Sequence, residues 1–140
     1  MATYQKGYIE KNKDKRNENC RKRYRSNINV QIATKIRSRI WKALRTVKAN
    51  KNSKTEELLG CTYDEARKHI ETLWVDGMTW ENNTQDGWHL DHIIPCASFN
   101  LSNLEEQKAC FHYTNLRPLW AVENISKSSV YKGTKHYYLK

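Results

Sequence analysis

Asp91 and His92 stand side by side, Asn115 follows 23 positions after His92, Asn124 nine positions after Asn115, and Lys127 three further on. The set holds one side chain that exchanges a proton near neutral pH, His92, and two oxygen donors suited to a hard cation, the Asp91 carboxylate and the Asn124 carboxamide. Hydrolysis of a phosphodiester needs both kinds of group. A base must deprotonate water in line with the leaving 3′-oxygen, and a cation must neutralise the charge that grows there. His92 fits the first role, and an ion held by Asp91 and Asn124 fits the second, with water and phosphate completing its coordination. A neutral carboxamide oxygen favours magnesium or manganese over zinc. Adjacent residues of an extended strand point to opposite sides, so Asp91 and His92 serve one reaction only if the chain bends there. His89 would share the aspartate's face of a regular strand and is a secondary candidate for touching the metal or a phosphate; the plainer reading is a structural histidine beside Trp88. Arg117 and Lys127 are candidate phosphate contacts or solvated side chains. An Asp-His pair alone arises readily by chance, and Asn115 or Asn124 alone serves equally as a turn or cap residue, so it is the joint spacing that carries weight.

The elements around these residues are legible in outline. Trp88 to Pro95 is short and β-prone, Leu116 to Trp120 is extended because of Pro118, and a last helix is expected over roughly Ala121 to Val130. Ser102-Asn103-Leu104-Glu105 has capping-box spacing and predicts a helix through about Phe111. Thr62-Tyr63-Asp64-Glu65 predicts another, with Ala66, His69, Ile70, Leu73 and Trp74 on one face, ending near Gly77. Residues 78–87 read as a loop. His69 is expected to be a packed or solvent-facing residue of its helix, and His112 to pack or cap rather than to catalyse.

Asp91-His92-Ile93-Ile94-Pro95, Asn115-Leu116-Arg117-Pro118-Leu119 and Asn124-Ile125-Ser126-Lys127 resemble the three parts of the HNH nuclease motif. The segment from Cys110 to Ala121, with Leu58-Leu59-Gly60-Cys61 and Gly77-Met78-Thr79-Trp80-Glu81-Asn82 upstream, is similar to the phage-type proteins of that family, so the resemblance covers about residues 56–131. It implies an α+β protein with a small ββα-metal core at about 88–130, additional helices and a basic helical N-terminal arm. It also implies a divalent-metal-dependent DNA endonuclease that leaves 5′-phosphate and 3′-hydroxyl ends. His92 would be the general base, Asp91 and Asn124 the metal ligands, and Asn115 the residue that bonds across to the base segment and fixes its bend. One divalent ion per site is implied, Mg2+ foremost, Mn2+ or another as alternatives. Many relatives carry paired C-x-x-C motifs for a structural zinc; this chain has none, so no structural zinc is expected. A phage-type enzyme would act inside a bacterial host cell.

Charge divides the 140 residues unevenly. Residues 1–50 hold 15 basic and 3 acidic side chains, net +12, and residues 51–140 hold 10 and 12, net −2. A cationic arm on a near-neutral body points to a phosphate backbone, duplex DNA foremost, and secondarily to an anionic surface. Residues 1–50 are therefore read as a basic arm plus amphipathic helix, and 51–140 as the nuclease domain. Between Lys6 and Arg25 there is almost nothing to bury, which gives a disordered segment or a solvated helix. Ile28, Ile32, Ile36, Ile40, Leu44 and Val47 then recur at helical steps, with Arg37, Arg39, Lys42 and Arg45 among the basic residues on the outer face as candidate DNA contacts. Asn50-Lys51-Asn52-Ser53 reads as a link. No apolar run approaches a membrane span, no secretory signal is visible, and Cys20, Cys61, Cys96 and Cys110 are expected to be reduced and mostly buried, which together predict a cytoplasmic protein. Two other readings stay open: a non-catalytic nucleic-acid-binding protein that uses the basic third, and a nuclease that prefers RNA or single strands. Oligomeric state is not legible; a homodimer is expected if both strands are cut.

Overall fold

A segment with nothing to bury can still be helical if its side chains are left in water. In the computed structural model, which describes residues 2–136, the basic segment forms α1 (Ala2–Lys11) and α2 (Lys13–Ser26), the latter without a buried residue. Asn27 breaks the run: its backbone is extended, and its Oδ1 accepts from Val30 N at 3.2 Å, starting α3 (Ile28–Thr46). Ile32, Ile36, Ile40 and Leu44 form the expected buried stripe, and they share one core with Leu58, Trp88, Phe111 and Leu116. By packing, then, α3 belongs to the body. Only by charge does it belong to the arm.

The body is built from short, locally capped pieces. A helix the sequence reading did not anticipate, α4 (Thr55–Leu59), buries Leu58 and Leu59 and ends at Gly60. Gly60 has φ 74°, and a Cβ there would fall 2.5 Å from His112 Nε2, so both conformation and space require glycine. The Thr62–Glu65 capping box forms on both sides and opens α5 (Tyr63–Thr72). This helix stops before Leu73 rather than near Gly77, because Trp74 turns aside to pack on Trp80 and Trp88, with centroids 5.3 and 6.1 Å away. The 78–87 loop is pinned by Trp88 Nε1 donating to Thr79 O at 2.6 Å and Asn82 Nδ2 donating to Gly77 O at 2.7 Å.

Strand β1 (Trp88–His92) pairs antiparallel with β2 (Leu116–Trp120), setting Asp91 opposite Arg117 and His92 opposite Leu116. Between them lies α6 (Leu104–Phe111), capped by Asn103 and not by Ser102: Asn103 Oδ1 accepts from Glu105 N at 2.9 Å and Glu106 N at 3.1 Å. Helix α7 (Ala121–Lys127) follows β2 at once and packs on both strands. It ends three residues short of the expected Val130, which belongs instead to a small hairpin, β3 (Val130–Tyr131) with β4 (Thr134–Lys135), turned through Lys132 and Gly133 at positive φ. The result is an α+β fold with two separate two-stranded antiparallel sheets among the described residues. The last four residues of the expected 51–140 domain lie outside them. Among the described residues, no helix is long and apolar enough to cross a membrane. All four cysteines are free; Cys96 and Cys110 are buried, but Cys20 on α2 is exposed and Cys61 half-buried, which corrects the expectation that most are inside.

Candidate functional site

Strand parity decides what each residue of β1 meets. Trp88, Leu90 and His92 turn to the core, while His89 and Asp91 turn to the opposite face, where α7 covers them. Asp91 is 6% exposed, and its Oδ2 accepts from Lys127 Nζ at 2.8 Å and Arg117 Nε at 3.3 Å. Arg117 and Lys127 are thus held on a desolvated carboxylate rather than standing in water, and a buried carboxylate is tolerated because two cations and their hydrogen bonds face it. Lys127 also donates to the His92 carbonyl at 2.5 Å, tying the helix to the end of the strand.

Asn124 Nδ2 lies 2.9 Å from His89 Nδ1, and His89 Nε2 lies 2.9 Å from the Gln85 carbonyl. A carbonyl only accepts, so Nε2 carries the ring proton and Nδ1 accepts from the Asn124 amide nitrogen. In this assignment Asn124 meets His89 through its amide nitrogen and not through Oδ1. Asn124 and Asp91 line one cleft of about 450 Å3 together with His92, Lys127, Arg39 and Cys96. The spacing-derived residues Asp91, His92, Asn124 and Lys127 are therefore brought to one place.

Asn115, 8% exposed, is the clasp beneath them. Its Oδ1 accepts from Ile94 N at 2.8 Å, and its Nδ2 donates to Ile94 O at 3.1 Å and to Cys110 O at 2.9 Å. Its own carbonyl accepts from Ile93 N at 2.8 Å. These bonds fix the chain's course immediately after His92, where the strand ladder stops.

His92 is 6% exposed and sits on the wall between cleft and core, its ring edge-on to Phe111 with centroids 6.0 Å apart. On the core side it meets Cys96 and Cys110: one ligand-type atom from each of the three lies within 4.8 Å of the other two. The Cys110 hydrogen bond and then the neighbouring His92 hold the Cys96 thiol down at about 5, whereas the same hydrogen bond and burial push Cys110 up. The sequence reading missed this cluster. Its local signal is the His-x-x-x-Cys spacing of His92 and Cys96; the third member, Cys110, arrives only through the packing of α6.

The basic residues of α3 divide between two flanks. Arg39 reaches the cleft, and with Lys35 and Lys42 it also lines a neighbouring groove shared with His89. Arg37 lies over the Tyr63 ring at 5.4 Å and Arg45 over the exposed Trp41 ring at 4.8 Å, on the other flank. His69 packs edge-on against Tyr113, and His112 Nδ1 bonds Thr114 Oγ1 at 2.7 Å, both in the packing and capping roles expected of them.

No family model and no solved structure matches the chain. Over 125 residues, 89% of this chain, it is 37% identical to the uncharacterized protein L426 of Acanthamoeba polyphaga mimivirus, of which the match covers 54%. Over 118 residues, 84% of this chain, it is 35% identical to the uncharacterized protein L246 of the same virus, with 50% of that protein covered. The chain spans about half the length of the curated relatives it matches, so the likeness joins it to one part of two larger viral proteins.

Proposed function

We propose that the chain is a divalent-metal-dependent endonuclease of the HNH kind, with β1, β2 and α7 as its ββα core and duplex DNA as its substrate. One observation carries the reading: a carboxylate, a carboxamide and an imidazole from two elements line one cleft, with an asparagine clasp that fixes the chain just past the imidazole. The donor set fits a hard cation. Asp91 already draws two cationic side chains to one oxygen, and His89 takes the Asn124 amide nitrogen, which turns the carboxamide oxygen into the remaining donor. Mg2+ or Mn2+ held by Asp91 and Asn124 would neutralise the charge that develops on the departing 3′-oxygen.

The other steps belong to side chains of this chain. His92 accepts the proton of the attacking water, and Asn115 keeps His92 in place by holding Ile94 and Cys110 together. Lys127 and Arg117 offer donors to the nonbridging phosphate oxygens from beside Asp91, and Arg39 and Lys42 extend positive charge along the neighbouring groove. The basic residues of α1 and α2 add salt-sensitive backbone affinity without reading sequence. Two viral relatives and four free cysteines support the cytoplasm of an infected cell as its compartment.

The test is nicking of supercoiled plasmid with Mg2+, with Mn2+ and with EDTA. EDTA abolishes activity, and His92→Ala lowers it by about 100- to 10,000-fold. Full activity in His92→Ala removes the mechanism. A second reading, duplex binding without catalysis, is favoured by the turn of His92 toward Phe111. It expects no cleavage in any divalent ion and binding indifferent to Asp91→Ala.

A further inference from the structure

We propose that His92, Cys96 and Cys110 form a thiolate–imidazole site for a soft divalent ion of the zinc class, separate from the Asp91–Asn124 oxygen site and antagonistic to it. The antagonism rests on the nuclease reading given above; the site does not.

The three side chains come from three elements that converge. His92 ends β1, Cys96 opens the turn over Cys96–Ser98 just after Pro95, and Cys110 lies in the last turn of α6. Asn115 ties two of these segments together by bonding Ile94 and the Cys110 carbonyl, so the donors are held near one another before any ion arrives. Their ligand-type atoms lie within 4.8 Å of one another. Tetrahedral zinc with sulfur at about 2.3 Å and nitrogen at about 2.0 Å needs donors about 3.5–3.8 Å apart, so closure asks for movements of about an ångström at most. Two sulfurs and an imidazole select zinc, cobalt or cadmium over magnesium. Exposed acids gathered by chance would not be buried; here all three residues are. His92 and Cys96 also line the cleft, the side from which an ion would enter. On binding, protons still on the thiols leave to solvent and the sulfurs coordinate as thiolates.

The consequence for His92 does not depend on which ring nitrogen is used. A neutral imidazole has one lone pair on nitrogen; once that pair is given to a metal, the other nitrogen keeps its proton and nothing remains to accept one from water. An ion in the sulfur site therefore silences the base without displacing the ion at Asp91.

The test is titration of the reduced full-length protein with Co2+, read in absorbance, with no DNA present. The expected result is a one-to-one complex with thiolate-to-cobalt charge transfer and the visible bands of tetrahedral coordination. Zn2+ bleaches these bands, excess Mg2+ does not, and they are lost in Cys96→Ser and in Cys110→Ser. They persist in Asn124→Ala and in a protein carrying both Cys20→Ser and Cys61→Ser. A wild-type protein without the charge-transfer band overturns the site, whatever the variants do, and so does a band that disappears with Cys20 and Cys61. Neither result touches the nuclease reading. Plasmid nicking in saturating Mg2+ is then expected to fall to background with one equivalent of Zn2+ and to be spared in Cys96→Ser. A loaded protein that shows the cobalt spectrum and nicks at full rate upholds the site and overturns its antagonism.

Discussion

Replacing Asn115 by alanine removes three hydrogen bonds and nothing else of size: Ile94 N to Oδ1 at 2.8 Å, Nδ2 to Ile94 O at 3.1 Å and Nδ2 to Cys110 O at 2.9 Å. The partners are backbone groups in a part-buried or buried setting, so water does not replace the lost bonds fully. At about 1 kcal/mol net for each bond, the loss comes to about 3 kcal/mol. A chain of 140 residues unfolds with an entropy of about 0.3 kcal/mol/K near its midpoint, so the melting temperature falls by about 10 °C. Asn115→Asp keeps the acceptor for Ile94 N but turns an oxygen toward two carbonyls, and its loss is at least as large. Melting followed by circular dichroism gives the first number. Plasmid nicking well below the variant's own midpoint gives the second: slackening of the bend after His92 lowers the rate on the order of 100-fold in the folded protein. A midpoint lowered by less than about 3 °C, or an unchanged rate in folded Asn115→Ala, would refute the role given to this clasp.

His89→Ala removes the acceptor that orients the Asn124 amide; the Mg2+ concentration for half-maximal nicking rises about 10- to 100-fold while the rate at saturation stays near wild type, and an unchanged metal requirement contradicts the orientation argument. Arg39→Ala with Lys42→Ala lowers the salt slope of DNA binding by about 1.8, whereas Arg37→Ala with Arg45→Ala, on the Tyr63 and Trp41 flank, leaves it unchanged; equal losses from the two pairs sink the assignment of the DNA path to the cleft side. Lys68 and Arg67, with Asn29, hold the Asp64 carboxyl well below the usual carboxylate range. A depressed value contributes stability above the unfolded-state value of about 3.9 and loses it as pH falls, so the Asp64 share of the melting temperature is constant between about pH 7 and 5 and is lost below about pH 4. The drop is shallower in Asp64→Asn, and parallel curves for the two proteins would exclude this source.

Where a structural decision was local, the sequence was enough to make it. Isoleucines at four-residue steps specify α3, and the Thr62–Glu65 box starts α5, because both depend only on neighbours along the chain. Ser102 failed as a cap because Asn103, one residue on, offers a better-placed oxygen to two amides, while Glu106 bonds back to Asn100 N at 2.5 Å. The early end of α5 is a tertiary effect: three tryptophans from separate segments draw Trp74 off the helix axis. Five residues are too few to show a period, which hid α4, and the Lys132-Gly133 turn lay past a helix drawn three residues too long. For the site, spacing singled out Asp91, His92, Asn115 and Asn124; strand parity sets Asp91 and His92 on opposite faces, but the bend expected between them is absent, because the β1 ladder runs through both and the chain turns only after His92. The partners of those residues were another matter. Arg117 meets Asp91 only because of the β1–β2 register, and Lys127 and Asn124 reach Asp91 and His89 only because α7 lies across that face.

Parity also explains why one histidine has two sets of neighbours. Asp91 looks toward α7 and its oxygen and cationic groups, while His92 turns to the side where α6 and the post-strand turn supply sulfur. A ββα nuclease would need His92 only on the cleft side, and a purely structural histidine would need it only against Phe111. A buried imidazole that lines the cleft and also has two thiols within 4.8 Å satisfies neither description alone. The donors sort by softness, oxygen on one side and sulfur on the other, so under the proposal a soft ion would take His92 from its role as base without contesting the oxygen site. Under this arrangement magnesium at Asp91 would leave the imidazole's lone pair for water, whereas a zinc-class ion at the sulfurs would claim it. The composition of the surrounding solution would then set the activity of the protein without any change of fold, and the cobalt titration separates this from a merely packed histidine, which would give no thiolate band.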